Sequence, residues 1–242
     1  MPLINKLLYK YAETKPTFSG NCAFFGNDDK GWIEIYENGT ITFPSNTSKK
    51  FDLYLLSNGS DGKTGYSEIQ KQDPTGDYIY TTIDSGNGGA GGKCVEFYSR
   101  SLSGDLKITI GTTTYIKSGV LTLFTTNNTS AIDGGSGGTG AYHYSYTNLL
   151  DPKDQHVENT EATRGEDGRI PFTGHTTLNS GLAQHRLGAG GNGGWYEGTN
   201  PDYTETKVNT GAGGNGGKAL SSNGTYPGET GGTGIVIIRW GY

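Results

Sequence analysis

The stretch Gly88-Gly89-Ala90-Gly91-Gly92-Lys93 places glycine in two of every three positions. The same phase returns in Gly134-Gly135-Ser136-Gly137-Gly138-Thr139-Gly140, in Gly190-Gly191-Asn192-Gly193-Gly194-Trp195, in Gly213-Gly214-Asn215-Gly216-Gly217-Lys218 and in Gly231-Gly232-Thr233-Gly234. Collagen is excluded, because it takes one glycine per triplet with imino acids in the other slots. A two-in-three pattern fits an extended threefold helix of polyproline-II geometry, whose N–H and C=O groups all point outward. One such segment alone is a flexible linker. Several side by side can hydrogen-bond to each other, since glycine lets the backbones approach closely. The spacing therefore predicts a bundle of packed polyglycine-II helices near 86–93, 134–140, 188–194, 211–217 and 228–234. The third-slot residues, Asn192, Asn215 and Lys93 among them, line the rod edges. The competing reading is a set of disordered linkers; matched lengths, shared phase and intervening strands speak for packing.

Composition leaves room for both readings. Forty-two of 242 residues are glycine, and Leu, Ile, Val and Phe are scarce, as in disordered chains. Disorder also calls for high net charge and few aromatics, whereas this chain carries a formal charge of −5 and 16 tyrosines. Outside the glycine tracts the pattern is β. Trp32 to Tyr36 alternates, Asn38-Gly39 reads as a hairpin turn, and Thr40 to Phe43 returns. Phe51 to Leu55, Asp77 to Ile83, Cys94 to Tyr98, Leu106 to Ile110, Val120 to Phe124 and Ile235 to Trp240 continue the series. The expectation is an all-β, jelly-roll-like sandwich over 31–242 with the polyglycine bundle inserted. Residues 141–187, poor in glycine and rich in polar groups, read as a variable loop region. Residues 1–30 read as an anchor segment, with Leu3, Ile4, Leu7, Leu8 and Tyr11 on one helical face; docking on an assembly and packing on the protein's own core both remain open.

Several function classes drop out. No apolar run approaches the roughly 20 residues of a membrane helix, and the N-terminus lacks a secretory apolar core. Clustered Lys and Arg are absent, which argues against nucleic acid. Gly188 to Gly193 and Gly211 to Gly216 match a dinucleotide fingerprint without its following helix. Gly216-Gly217-Lys218 fails as a phosphate loop, because Ala212 and Ala219 replace the required Gly and Ser/Thr. His143, His156, His175 and His185 lack zinc spacing, and Asp28-Asp29 and Glu166-Asp167 lack calcium-loop spacing. No cofactor, metal or catalytic set is expected, and no enzyme. Cys22 and Cys94 sit in strand-like stretches and read as free thiols. The Asn-x-Ser/Thr sequons, Asn38 and Asn223 among them, read as compositional.

The aromatics are the better lead. Tyr142, Tyr144 and Tyr146 alternate directly after one glycine tract, with His143 between them. Trp195 and Tyr196 end another, and Tyr203 follows. Rings beside polar groups on a surface suit sugars or protein epitopes; the alternative is a strand that buries one tyrosine face.

Taken together, Thr40-Ile41-Thr42-Phe43-Pro44, Phe51-Asp52-Leu53-Tyr54-Leu55-Leu56, the glycine tracts and Gly231-Gly232-Thr233-Gly234-Ile235-Val236-Ile237-Ile238-Arg239-Trp240 resemble the glycine-rich tail proteins of phages and prophages of Gram-positive bacteria. The resemblance covers about 40–242. The architecture is similar to the glycine-rich domain of anaplastic lymphoma kinase receptors and to polyglycine tail-tip adhesins. Ser57-Asn58-Gly59-Ser60-Asp61-Gly62 is thinner in glycine than that pattern and is not counted as a rod. The resemblance implies a receptor-binding tail or tail-fibre protein that recognises a host surface glycan or protein. It would sit in the virion tail and pass through the bacterial cytoplasm during assembly. Its partners would be tail or baseplate proteins reached through the N-terminal segment, with homo-oligomers possible, and neither nucleic acid nor membrane. The alternatives are a purely structural baseplate, tail or capsid decoration, and a bacterial surface or matrix protein. On the adhesin reading, deletion of 143–186 should leave a folded protein that no longer binds cells.

Overall fold

The computed structural model describes residues 15–45, 48–195, 209–219 and 223–242. These residues form three antiparallel five-stranded sheets, and their one helical feature is a 3-10 turn at Leu182–Gln184. The all-β expectation therefore holds. The apolar stripe between Leu3 and Tyr11 lies outside the described residues.

The outer sheet has the order β1 (Thr17–Phe18), β4 (Gly39–Phe43), β9 (Gly104–Thr109), β10 (Tyr115–Ser118), β11 (Leu121–Thr125). The central sheet runs β2 (Cys22–Gly26), β3 (Gly31–Ile35), β15 (Ile235–Trp240), β5 (Phe51–Leu56), β8 (Cys94–Arg100). Ile41, Phe43, Leu106 and Ile108 of the former share one core with Ile33, Leu53, Leu55, Val236 and Ile238 of the latter. The central sheet is buried on both faces. Its other side carries Trp32, Tyr54, Leu56, Cys94, Ile235 and Ile237. This accounts for the continuous apolar run Ile235 to Ile238, since a strand covered on both sides has no polar face to show. Cys22 packs toward the first core and Cys94 into the second, so the sheet separates the two thiols, and both are free.

Several expectations are corrected here. Asn38-Gly39 does not close a hairpin: β3 pairs with β2 and β15, and β4 pairs with β1 and β9. Both edges of β3 are occupied, and the chain turns a corner between sheets. Asn38 Oδ1 accepts the Ile110 N–H at 2.7 Å, which ties the corner to the outer sheet. Residues 141–187 are not one loop. They hold β12 (Tyr142–Asn148) and β13 (Gln155–Thr160), then a strap that covers the second core with Phe172, Leu178, Ala183 and Leu187. The strap is held by charged groups of the central sheet. Glu34 accepts the Leu182 and Ala183 N–H groups at 2.9 and 2.8 Å. The buried Arg239 is paired with Asp52 at 2.9 Å and donates to the Thr176 carbonyl at 2.5 Å. Deleting 143–186 would remove Phe172, Leu178 and Ala183 from this core, so the deletion is expected to destabilise the fold as well as to alter binding. Thr17–Phe18 and Cys22–Gly26, expected in the anchor segment, pair within the sheets.

The third sheet has the order β13, β12, β7 (Tyr78–Asp84), β6 (Gly65–Gln72), β14 (Gly224–Tyr226). Between it and the central sheet lie the glycine tracts, joined sideways by backbone hydrogen bonds in a three-residue rhythm. Gly86, Gly89 and Gly92 donate to the carbonyls of Gly217, Gly214 and Gly211, while Gly88 and Gly91 donate to those of Gly138 and Gly135. Gly135 and Gly138 donate in turn to Gly188 and Gly191. Gly213 and Gly216 donate to Ala189 and Asn192, and Gly232 donates to Ala212. Two tracts poorer in glycine join the same lattice. Ser57, Ser60 and Lys63 donate to Lys93, Ala90 and Asn87, which places 57–63 within the lattice. Thr163 and Glu166 donate to Thr139 and Ser136, which adds 163–169. In these two tracts the one glycine per triplet, at Gly59, Gly62, Gly165 and Gly168, stands where a Cβ would meet a neighbouring backbone closer than 3.0 Å. The third-slot residues Asn192 and Asn215 are buried, and Asn215 Oδ1 accepts the Asn192 N–H at 2.9 Å. Ala90, Lys93, Ser136, Thr139, Lys218 and Thr233 stay on exposed edges.

A methyl group at Gly88, Gly134, Gly137, Gly190, Gly191, Gly193, Gly194, Gly213, Gly214, Gly231 or Gly234 would meet backbone atoms of another tract closer than 3.0 Å, and one at Gly217 would meet the backbone of Tyr226 and Gly65. The tracts are also collinear in sequence with the strands around them. β5 runs through 57–63 into β6, β7 runs through 86–93 into β8, and β14 runs through 228–234 into β15. The lattice thus joins the central sheet to the third.

Candidate functional site

The third sheet differs from the other two in exposure. β12 is half-buried along its whole length and β13 is exposed along its whole length. Burial is confined to the root, at Gly65, Ser67 and Ile83. An alternating strand sends successive side chains to opposite faces, so register decides which residues share a surface. Tyr146 faces Tyr80 across β7 and His156 across β13; Tyr144 faces Thr82 and Glu158.

One face is therefore a continuous ring cluster. Tyr78 and Tyr80 stack at 6.1 Å, Tyr80 and Tyr144 at 6.4 Å, and Tyr146 and His156 at 5.6 Å. Tyr78 meets Tyr146 edge-on at 6.0 Å. Such offset and edge contacts add to burial and hold the rings in fixed orientations. The tip of the cluster is pinned: Asn148 Nδ2 donates to the Tyr78 hydroxyl and to Asp154 Oδ2, both at 3.2 Å, and Asn148 Oδ1 accepts the Leu150 N–H at 2.9 Å.

Carboxylates rim the rings. The Glu68 carboxyl is held below its ordinary pKa by the Tyr66 hydroxyl, which donates to it at 2.8 Å, and then by Lys71 at 3.3 Å. Asp73 is likewise held low, first by the Thr75 hydroxyl at 2.5 Å and then by the backbone N–H groups of its turn. Glu158 lies 3.0 Å from His156 Nε2. Packing among the rings pushes the Tyr80 hydroxyl up, with Asp73 and the neighbouring tyrosines adding to the effect. At neutral pH the face thus offers neutral ring faces, hydroxyls and ionised acceptors.

Of the residues singled out from sequence, Tyr144 and Tyr146 lie within this cluster. Tyr142 stands on the same face at the root, opposite Asp84 and Thr160. His143 points to the opposite face, where its Nδ1 lies 2.5 Å from Asn159 Oδ1. Trp195 follows the Gly194 carbonyl that accepts the Ala141 N–H, and Lys218 Nζ lies 6.0 Å from its ring centroid. Tyr196 and Tyr203 lie outside the described residues. Sequence reasoning missed Tyr78, Tyr80 and His156. The signal was present for the first two, since Tyr78-Ile79-Tyr80 alternates as Tyr144-Ser145-Tyr146 does, but nothing in the sequence says that these two strands are partners.

Among the described residues no group of three or more His, Cys, Asp or Glu side chains is placed to hold a metal ion, and no helix is long and apolar enough to cross a membrane. No protein-family model, no curated protein and no solved structure matches the chain.

Proposed function

We propose that this protein is a receptor-binding adhesin of a phage tail or tail fibre, and that the ring face of the third sheet is where it meets a bacterial surface glycan or protein. The observation that carries the reading is the cluster of Tyr78, Tyr80, Tyr144, Tyr146 and His156, half-buried or exposed and bordered by Glu68, Asp73 and Glu158. Ring faces accept the apolar face of a sugar or side chain, and ionised carboxylates accept its hydroxyl or amide protons. No bond-making or bond-breaking role is assigned; the proposal is a binding protein without cofactor.

The finer architecture belongs to the same proposal. The sandwich is read as jelly-roll-like and the lattice as a bundle of polyglycine-II helices. In that geometry a tract of six or seven residues spans about 20 Å, at ~3.1 Å per residue. The bundle then works as a stiff spacer that holds the ring face away from the sandwich. A preorganised surface of this kind loses little entropy on binding, and many copies on a virion would add avidity.

A structural role in the tail, baseplate or capsid is the second reading. One observation favours it: β13 is an edge strand with every residue exposed, open to pairing with another chain. The double substitution Tyr80→Ala with Tyr146→Ala separates the two. The expected outcome is a folded protein, its melting temperature lowered by a few degrees, that no longer adsorbs to host cells. Wild-type adsorption by this folded variant would remove the ring face from the proposal and leave the structural reading.

A further inference from the structure

The open edge of the third sheet carries a pattern of its own. β13 pairs with β12 in unbroken register from Gln155 to Thr160, and among the described residues nothing pairs with its other side. Other sheet edges are blunted: β1 and β14 are two and three residues long, and β8 and β11 pair through register shifts. Short edges and bulges keep strands from pairing with another chain, as do Lys and Pro on the edge. Gln155-His156-Val157-Glu158-Asn159-Thr160 has none of these, and Val157 at its middle is 55% exposed.

The hydrogen-bond pattern fixes which backbone groups of β13 are open. In an antiparallel pair, residues that exchange hydrogen bonds alternate along the strand with residues that do not. The Asn148 N–H donates to the Asp154 carbonyl at 3.0 Å, so the even positions of β12 and β13 bond each other. The odd positions of β12 bond toward β7: the Leu149 N–H donates to the Asp77 carbonyl at 2.6 Å, and the Ala141 carbonyl accepts the Ser85 N–H at 2.8 Å. On β13 the odd positions Gln155, Val157 and Asn159 therefore turn their N–H and C=O groups outward.

A strand laid on this edge can use those groups only where its own outward positions meet them. For a second copy of β13 running antiparallel, two such registers overlap nearly the whole strand. One centres on Glu158 and sets two carboxylates directly opposite each other, which is destabilising. The other centres on Val157. Val157 then faces Val157 of the second copy, Gln155 faces Asn159, and His156 faces Glu158 on the ring side of the sheet. The His156 and Glu158 pairs fall at non-hydrogen-bonded positions, where facing side chains come closest. Within one chain His156 Nε2 already lies 3.0 Å from Glu158 Oε1, so imidazole and carboxylate alternate across the joint. Every outward N–H and C=O group of Gln155, Val157 and Asn159 finds a partner in this register.

We infer that two copies of this chain associate through β13, antiparallel about a two-fold axis at Val157, into one continuous sheet. Such an axis stands perpendicular to the sheet, so both ring faces look to the same side. The pairing rests on the edge alone and does not depend on what the ring face binds; an adhesive face would be presented twice by the dimer. The contact is smaller than a standard interface, so association should depend on concentration. Sedimentation of the intact protein between about 1 μM and about 1 mM should show the mass rising from one chain toward two. Val157→Lys sets two ammonium groups opposite each other at the axis, and should weaken association about tenfold or more without lowering the melting temperature of the dilute protein. His156→Glu should weaken it likewise, and adding Glu158→Lys to that variant restores opposite charges and should recover it. Val157→Cys should give an intermolecular disulfide on mild oxidation, since facing Cα atoms at a hydrogen-bonded position lie about 5.5 Å apart. Asn159→Cys should not, because the two introduced thiols would stand about 13 Å apart along the strands. A mass of one chain over the whole range, association untouched by Val157→Lys, a double variant as weak as His156→Glu alone, or equal cross-linking at the two cysteine positions would each overturn the pairing. None of these readouts involves adsorption to cells, so failure here is distinct from failure of the ring face.

Discussion

The shared core of the outer and central sheets and the glycine lattice are two interiors built on opposite rules. In the first, Ile33, Leu53, Ile108 and Ile238 exclude water with side chains, each at or near zero exposure. A buried aliphatic side chain contributes roughly 1.5–3 kcal/mol. In the lattice the buried groups are peptide units. A backbone hydrogen bond contributes about 0.5–1.5 kcal/mol net, and glycine loses more backbone entropy on folding than any other residue. A lattice of this kind is stable only if nearly every N–H finds a carbonyl, and the alternation of Gly86, Gly89 and Gly92 toward one neighbour with Gly88 and Gly91 toward another meets that demand. The lesson is that the two interiors fail under opposite substitutions: one is damaged by removing atoms, the other by adding them.

The largest expected effect tests the hydrocarbon side. Phe172→Ala empties a fully buried site on the strap and should cost about 3–5 kcal/mol in denaturant unfolding. A loss below about 1 kcal/mol would mean that the strap is not part of the core. Next comes the lattice. Gly191→Ala forces a methyl group against the backbone of 213–214 and should cost about 3 kcal/mol, the upper end of overpacking. Gly111→Ala is its control, because its new Cβ would have Thr113 O as its nearest neighbour at 3.7 Å, and it should be near neutral. Equal effects at the two positions would break the comparison.

The smallest effect concerns the lattice edge. Glu166 Oε2 accepts the Ser136 N–H at 3.0 Å, and this bond holds the exposed carboxyl below its ordinary pKa. A carboxylate with a lowered folded-state pKa stabilises the fold fully above the unfolded value, about 4.3, and that contribution disappears as pH falls through the folded value. Glu166→Gln should therefore flatten the acid limb of the stability profile slightly, with a small loss of stability at neutral pH that vanishes below the folded-state pKa. An unaltered acid limb would show that the bond contributes nothing.

How much of this was legible depended on whether the determining interaction is local. The period of two glycines in three was readable at 88–93, 134–140, 188–194 and 211–217, because those tracts meet neighbours on several sides and need the missing Cβ on each. At 57–63 and 163–169 the signal was too thin, since only one position per triplet, at Gly59, Gly62, Gly165 and Gly168, faces a backbone that leaves no room for a Cβ. The strand at 235–240 was readable from its unbroken apolar run. The hairpin at Asn38-Gly39 was misread because its dipeptide favours a tight turn only when both flanking strands have a free edge, and β15 occupies the edge of β3. The strap was misread as a loop because its anchors are few and widely spaced: Phe172, Leu178, Ala183 and Leu187 show no helical or strand period.

The candidate site divides in the same way. Tyr144 and Tyr146 stood out through alternation within one strand. Tyr78 and Tyr80 joined them only through strand pairing across more than 60 positions of chain, His156 through the register of the neighbouring strand, and His143 left them because it is one residue out of phase.

Sequence by itself determined the β character of the chain and the three-residue glycine rhythm, because both are consequences of local geometry: where a side chain can stand, and where none can. Tertiary structure alone decided which tracts are neighbours, which polar excursion is in fact a core cover, and which rings share a face. Those outcomes rest on hydrogen bonds and contacts between segments far apart in the chain, and no local pattern records a partner's identity.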